Sequence, residues 1–124
     1  MALPVNRPIN EVAVFAQMAD LSTAGSTYAV ATHRGRLKRA YSVIGAAITG
    51  ADATWTIHVR SGSALKTVTV ANASSAAGDV DSVELGYMGT SNFVNEGDLI
   101  TFTSAGESST TSLTRFCAVI ERAN

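Results

Sequence analysis

From Glu11 the chain alternates with a period of two: Val12, Val14, Ala16 and Met18 fall on one side, Ala13, Phe15 and Gln17 on the other. Both sides are largely apolar, which predicts a strand covered on both faces. After a Ser/Thr/Gly loop at Ser22 to Ser26, Tyr28, Val30 and a run to Thr32 form a second short strand. Gly35 then opens a long alternation with Leu37, Tyr41 and Val43 on one face and Arg36, Lys38, Ala40 and Ser42 on the other, so the basic side chains are expected on the solvent side.

Thr49-Gly50-Ala51-Asp52 is a turn signal. Beyond it Trp55, Ile57 and Val59 alternate with Thr54, Thr56, His58 and Arg60, an amphipathic strand with one face in the core. Ser61-Gly62-Ser63 turns that strand, and Leu65 to Val70 returns as its hairpin partner. Asp79 to Tyr87 is a weaker segment in which Val80 and Val83 are out of phase, as a bulge or a loop would make them. Val94 to Asp98 turns into Leu99, Ile100 and Phe102. The closing run, Leu113 to Arg122, is apolar on both sides and is expected at the centre of a sheet.

About eight short strands with frequent turns, and no helical period of useful length, predict an all-β, single-domain, jelly-roll-like β-sandwich over 11–124, its strands antiparallel. Residues 1–10 carry both prolines, Pro4 and Pro8, and read as an extended N-terminal arm. Composition agrees: 14 Thr, 13 Ser and 10 Gly are a strand-and-turn vocabulary.

Charge adds one feature. The net value is −1, too small to draw the chain to nucleic acid or an anionic membrane, yet it divides into +4 through Lys66 and −5 from Thr67 onward. Either the two sets interleave in the fold and cancel, or complementary patches favour self-assembly or docking. The N-terminus lacks the apolar stretch of a signal peptide, no run approaches a membrane span, and the single Cys117 excludes an intrachain disulfide. A soluble protein made in a cytoplasm is expected.

Chemistry is sparse. His33 and His58 stand 25 residues apart in no metal-binding spacing, so neither a metal site nor a cofactor is expected. Asp79, Asp81 and Glu84 could gather around a cation if their segment curls, although Val83 occupies the fifth position and Gly78 precedes the run, so no calcium-loop pattern is present. No serine lies in a Gly-x-Ser-x-Gly elbow, and Cys117 between Phe116 and Ala118 reads as an inert core cysteine. Arg34, Arg36, Lys38 and Arg39 form the one basic cluster, without interleaved aromatics for base stacking. The chain is expected not to be an enzyme.

Three ordered stretches carry a resemblance: Arg39 to Ala53 (RAYSVIGAAITGADA), Ser75 to Ser82 (SAAGDVDS), and Glu96 to Ile100 (EGDLI) with Ser104 to Thr111 (SAGESSTT) and a closing Val119 to Arg122 (VIER). In this order they resemble the small jelly-roll decoration, or cement, proteins of tailed-phage capsids. The resemblance covers residues 34–122. It implies a virion protein on the capsid surface that binds the major capsid protein from outside, as a homo-oligomer, typically a trimer, and that stabilises the head without nucleic-acid or membrane contact. It supplies no catalytic residues; the contact candidates are Pro4 and Pro8 of the arm and the basic set Arg34, Arg36, Lys38 and Arg39. The alternative is a ligand-binding β-sandwich, a carbohydrate-recognition or phage adhesin domain, with Tyr28, Tyr41, Trp55 or Tyr87 stacking on sugar rings. Trp55 itself is expected in the core.

Overall fold

The computed structural model describes residues 10–123. The expected arm, with Pro4 and Pro8, therefore lies outside the described residues except for Asn10. The described chain forms nine strands and no helix: β1 (Glu11–Met18), β2 (Gly25–Val30), β3 (Gly35–Ile44), β4 (Ala53–Val59), β5 (Lys66–Val70), β6 (Val80–Glu84), β7 (Phe93–Val94), β8 (Leu99–Ser104) and β9 (Thr114–Arg122). All pairings are antiparallel.

The first sheet runs β1-β9-β3-β6, with β7 also on β3, and the second runs β2-β8-β4-β5. The nesting of partners explains the shape: β1 pairs β9, β2 pairs β8, β3 pairs β6, and β4 pairs β5. That is one long hairpin with its tip at the β4–β5 turn, rolled so that successive pairs fall alternately in the two layers, which is the jelly roll. The closing strand is central, between β1 and β3, as its two apolar sides predict.

Inward-facing side chains of both layers make the core. At its centre Trp55 of β4 meets Phe102 of β8 edge-on at 5.9 Å and Phe116 of β9 at 5.2 Å, while the two phenylalanines stack at 4.7 Å. The indole N–H, fully buried, donates to the Ser42 hydroxyl at 3.0 Å, so the polar handle of Trp55 is satisfied across the sandwich. Gly35 allows β3 to approach β9, because a Cβ there would sit 2.1 Å from the Glu121 carbonyl oxygen.

The sequence pattern fails at β3. Pairing with β9 slips between Leu37 and Arg39, leaving Lys38 as the extra residue of a bulge. Leu37 points inward, but after the bulge Ala40, Ser42 and Ile44 are buried, and Tyr41 and Val43 turn outward, the reverse of the expected phase. Asn92 compensates the broken ladder. Its backbone carbonyl accepts from Leu37 N–H at 2.7 Å, and its buried Nδ2 donates to Leu37 O at 2.9 Å and to Gly86 O at 2.8 Å.

β1 also departs from expectation. It is an edge strand with only its Val14 and Met18 side buried, and Phe15 on the other side is 70% exposed. The Asp79–Tyr87 segment resolves into edge strand β6 followed by a loop, with Val80 outward. At one end of the sandwich Asp20 accepts from Ser22 N–H (2.9 Å), Ser112 N–H (3.0 Å) and the Thr23 hydroxyl (2.8 Å). Burial pulls the Asp20 carboxyl upward, but these three donors outweigh it and hold the group below its ordinary range.

Candidate functional site

Because register fixes which residues share a face, the outer surface of each sheet can be read row by row. On the first sheet one row crosses from Phe15 (β1) to Cys117 (β9) to Tyr41 (β3), and the next runs Gln17, Arg115, Val43 and Val80. Phe15 and Val80 are 70% and 62% exposed. Between them lies a groove of about 280 Å³ lined by Phe15, Tyr41, Val43, Val80, Phe116 and Cys117 among others, and its exposed surface is apolar. Cys117 is thus on the outer face and half-buried, not in the core; burial still pushes its thiol up, away from the reactive thiolate.

The rows above the groove are charged. Lys38 reaches Glu11 at 2.8 Å and Glu121 at 3.4 Å, Arg36 reaches Glu121 at 3.2 Å, and Arg39 lies 3.2 Å from Glu84 and 3.6 Å from Glu11. The β3 bulge makes this possible by turning the consecutive Lys38 and Arg39 to the same side. The Lys38 hydrogen bond holds the Glu11 carboxyl below its usual range, and the reciprocal bonds to Glu11 and Glu121 raise the Lys38 ammonium. Three cations meet three carboxylates, so opposite charges from the two ends of the sequence cancel here. Arg34 stands apart, its guanidinium 4.9 Å from the centre of the Phe93 ring. The basic cluster is therefore divided into a neutralised strip and a separate cation–π contact.

The second sheet presents different chemistry. Its outward rows are Ser26, Thr103, Thr56 and Thr67, then Tyr28, Thr101 and His58. Ser26 and Thr103 share a hydroxyl–hydroxyl bond of 2.8 Å. His58 Nδ1 lies 2.9 Å from the Gly62 carbonyl oxygen, which can only accept, so that nitrogen carries the proton; in the neutral ring Nε2 then accepts from the Thr56 hydroxyl at 2.8 Å. Beside them Tyr28, His58, Ser61, Gly62, Thr101 and Thr103 line a shallow pocket of about 270 Å³.

The remaining sequence candidates disperse. Glu84 pairs with Arg39, Asp79 accepts from Ala76 N–H at 2.9 Å within its own turn, and Asp81 faces the edge of the sandwich, where burial and then the Asp79 charge raise its carboxyl. Among the described residues no three His, Cys, Asp or Glu side chains come together as a metal site. His33 bonds its neighbour Thr32 at 3.0 Å, and it forms no cluster with His58 and Cys117. Of the aromatic candidates for ligand stacking, Trp55 is in the core and Tyr41 is half-buried in the first-sheet groove, whereas Tyr28 and Tyr87 are 57% and 82% exposed.

Sequence reasoning missed Asn92, whose bond to Leu37 spans 55 residues, and the outward Phe15. The signal for Phe15 was present: two apolar sides fit an uncovered apolar exterior as well as a strand buried on both faces.

No family model matches the chain, and no curated protein sequence matches it. Among solved structures, CBM35 from Cellvibrio japonicus Abf62 superposes with a TM-score of 0.55 at 11% identity over 90% of this chain and 99% of that one. Eiger TNF from S. frugiperda gives 0.51 at 9% identity, over 93% and 94% of the two chains. A chain of the cyanophage Pam1 capsid asymmetric unit gives 0.50 at 15% identity, over 99% and 93%. At these identities the likeness shows the fold: the chain shares a jelly-roll sandwich with modules of widely different use.

Proposed function

We propose that this protein is a structural component of a phage head, a decoration protein that associates with copies of itself, as a trimer, and binds the major capsid protein from outside. The observation that carries the proposal is the apolar groove on the first sheet, bordered by exposed Phe15 and Val80. Exposed apolar side chains gathered around one groove fit a surface that a partner covers. The strip above it is neutralised within the chain and Arg115 is the one cation among the described residues lining the groove, so the face carries little net charge to recruit a strongly acidic or basic partner. An apolar surface fits best, and a neighbouring copy, offering a different patch of its own, is the proposed occupant. A three-fold ring uses unlike patches of neighbouring subunits and closes without leaving an open end.

Capsid contact then falls to surfaces outside the groove. Pro4 and Pro8 keep the role the sequence suggests, as does Arg34, which precedes β3 and packs over the Phe93 ring. Arg36, Lys38 and Arg39 contribute through the strip, by exchanging their own carboxylates for those of a partner. The fold shared with a cyanophage capsid chain is consistent with this use.

The test is co-sedimentation with expanded heads that lack their decoration protein. Saturable binding in multiples of three per site, and heads that resist heat better when loaded, are expected. Failure to co-sediment with any such head would refute the capsid assignment.

A further inference from the structure

We propose that the pocket on the second sheet, walled by Tyr28, His58, Ser61 and Thr101, is a binding site for one ring of a neutral saccharide. It lies on the opposite sheet from the apolar groove, so it is independent of the association proposed above.

The pocket combines two features that a sugar requires. A pyranose has an apolar C–H face and a rim of hydroxyls, so it is recognised by an aromatic plane with hydrogen-bonding groups around it. Tyr28 is the aromatic plane: it projects from the middle of β2 with 57% of its surface exposed, on a face whose next row is Ser26, Thr103, Thr56 and Thr67. Around it stand the hydroxyls of Thr101, Thr103 and Ser61. Those of Tyr28, Thr101 and Ser61 have no hydrogen-bond partner among the described residues. At about 270 Å³ the pocket is just below the range of about 300–1,000 Å³ typical of small-molecule sites, which suits a single ring.

Charge selects the class of sugar. None of the lining side chains carries a formal charge in the neutral-His58 state. Arg60, next to Ser61 in the chain, is held elsewhere: its Nη1 donates to the Phe93 carbonyl at 2.7 Å and to Asp98 Oδ2 at 2.9 Å. An acidic sugar or a phosphate would find no counter-charge, and a neutral ring needs none.

Part of the wall is strained. Val59 to Gly62 is a turn closed by Gly62 N–H donating to Val59 O at 3.0 Å, with Arg60 at φ 53° and Ser61 at φ 59°. Two successive positive φ values define the type I′ hairpin turn, which strongly favours Asn-Gly. Here two side-chain-bearing residues other than Asn or Gly adopt it, at a conformational cost that the Arg60 bonds offset. The turn presents Ser61 to the pocket and aims the Gly62 carbonyl at His58, fixing that ring as well.

The test is an NMR titration of the whole ¹⁵N-labelled chain with cellobiose, xylobiose, lactose, chitobiose and, as a charged control, glucuronic acid. For at least one neutral disaccharide, saturable shifts are expected at Tyr28, His58, Ser61 and Thr101. Affinity should fall about tenfold in Tyr28→Ala, the effect expected for losing an aromatic contact, and should survive in Tyr28→Phe. Thr101→Val supplies a second variant, expected to weaken binding with the aromatic plane intact. The proposal is overturned if no neutral disaccharide shifts these residues, if shifts centre instead on the loop bearing Tyr87, or if Tyr28→Ala binds as the native chain does. Phe15→Lys should bind sugar normally, which separates failure of this site from failure of the association surface.

Discussion

Across the first sheet an outward row runs Phe15, Cys117, Tyr41; across the second, a row runs Tyr28, Thr101, His58. The two sheets share one core around Trp55, and both exteriors use residues with high β-propensity, yet the first sets an apolar groove beside a charged strip and the second is dominated by hydroxyls. Threonine keeps the branched shape that suits a strand while its hydroxyl satisfies water, so the second sheet's exterior needs no cover. Phe15, Val43 and Val80 have no such outlet. This is the face that the proposed association covers. Core and groove thus lie on opposite sides of the same strands: β3 and β9 give Ile44, Phe116 and Ile120 to the core and Tyr41, Val43 and Cys117 to the groove.

The comparison can be broken most severely at the core. Trp55→Ala removes the ring that meets both Phe102 and Phe116 and leaves Ser42 without its partner; a loss of about 3–5 kcal/mol in denaturant unfolding is expected, with both faces lost in one transition. Separate transitions for the two sheets would show that they are not one cooperative unit.

Asn92→Ala comes next. It strips the Leu37 carbonyl of its side-chain donor in a buried setting, a cost of about 1–3 kcal/mol, and should speed amide exchange around Leu37 and Leu85 at the bulge. Exchange unchanged there would mean that the bulge, and with it the outward turn of Tyr41, is set by something else.

Acid acts through carboxyls that lie outside both the groove and the second-sheet pocket. The Asn95 N–H, opposed by partial burial and aided by Arg60, lowers Asp98, and Asp20 is lowered as described above. Folded carboxyls depressed below their unfolded values give stability that is complete above the ordinary carboxylate range, near pH 4, and that is lost as pH falls through the folded values. Asp81 is raised, so it has the opposite sign: its ionisation costs stability as pH rises. The melting temperature should therefore fall on acidification below about pH 4, Asp20→Asn and Asp98→Asn should each flatten that fall, and Asp81→Asn should raise the melting temperature slightly at neutral pH. A profile in Asp20→Asn and Asp98→Asn as steep as the native one would contradict the assignment.

The smallest effect on folding belongs to the exterior. Phe15→Lys and Val80→Lys should change monomer stability by no more than about 0.5 kcal/mol, as surface substitutions do.

Much of this was legible in the sequence. The period-two runs located the strands, the clean alternation of Thr54 to Arg60 put Trp55 inside, and the two apolar sides of Leu113 to Arg122 placed that strand at the centre. Faces were lost where a non-local contact changed the count. One extra residue at Lys38 inverts everything after it, and the group that stabilises the inversion, Asn92, lies 55 residues from Leu37 along the chain. Likewise the basic cluster of Arg34 to Arg39 looked like a free contact surface because Glu11, Glu84 and Glu121, which neutralise most of it, come from three other strands. The second-sheet pocket had no linear signature, since Tyr28, His58 and Thr101 meet only through β2, β4 and β8.

The central claim, that the first-sheet exterior exists to be covered by copies of the chain, is tested most directly by sedimentation velocity on the native protein and on the Phe15→Lys, Val80→Lys double variant across a range of concentrations. A trimer for the native chain and a folded monomer for the variant, with matching far-ultraviolet circular dichroism, is the predicted result; a native chain that sediments as a monomer throughout, or a variant with the native mass, contradicts it.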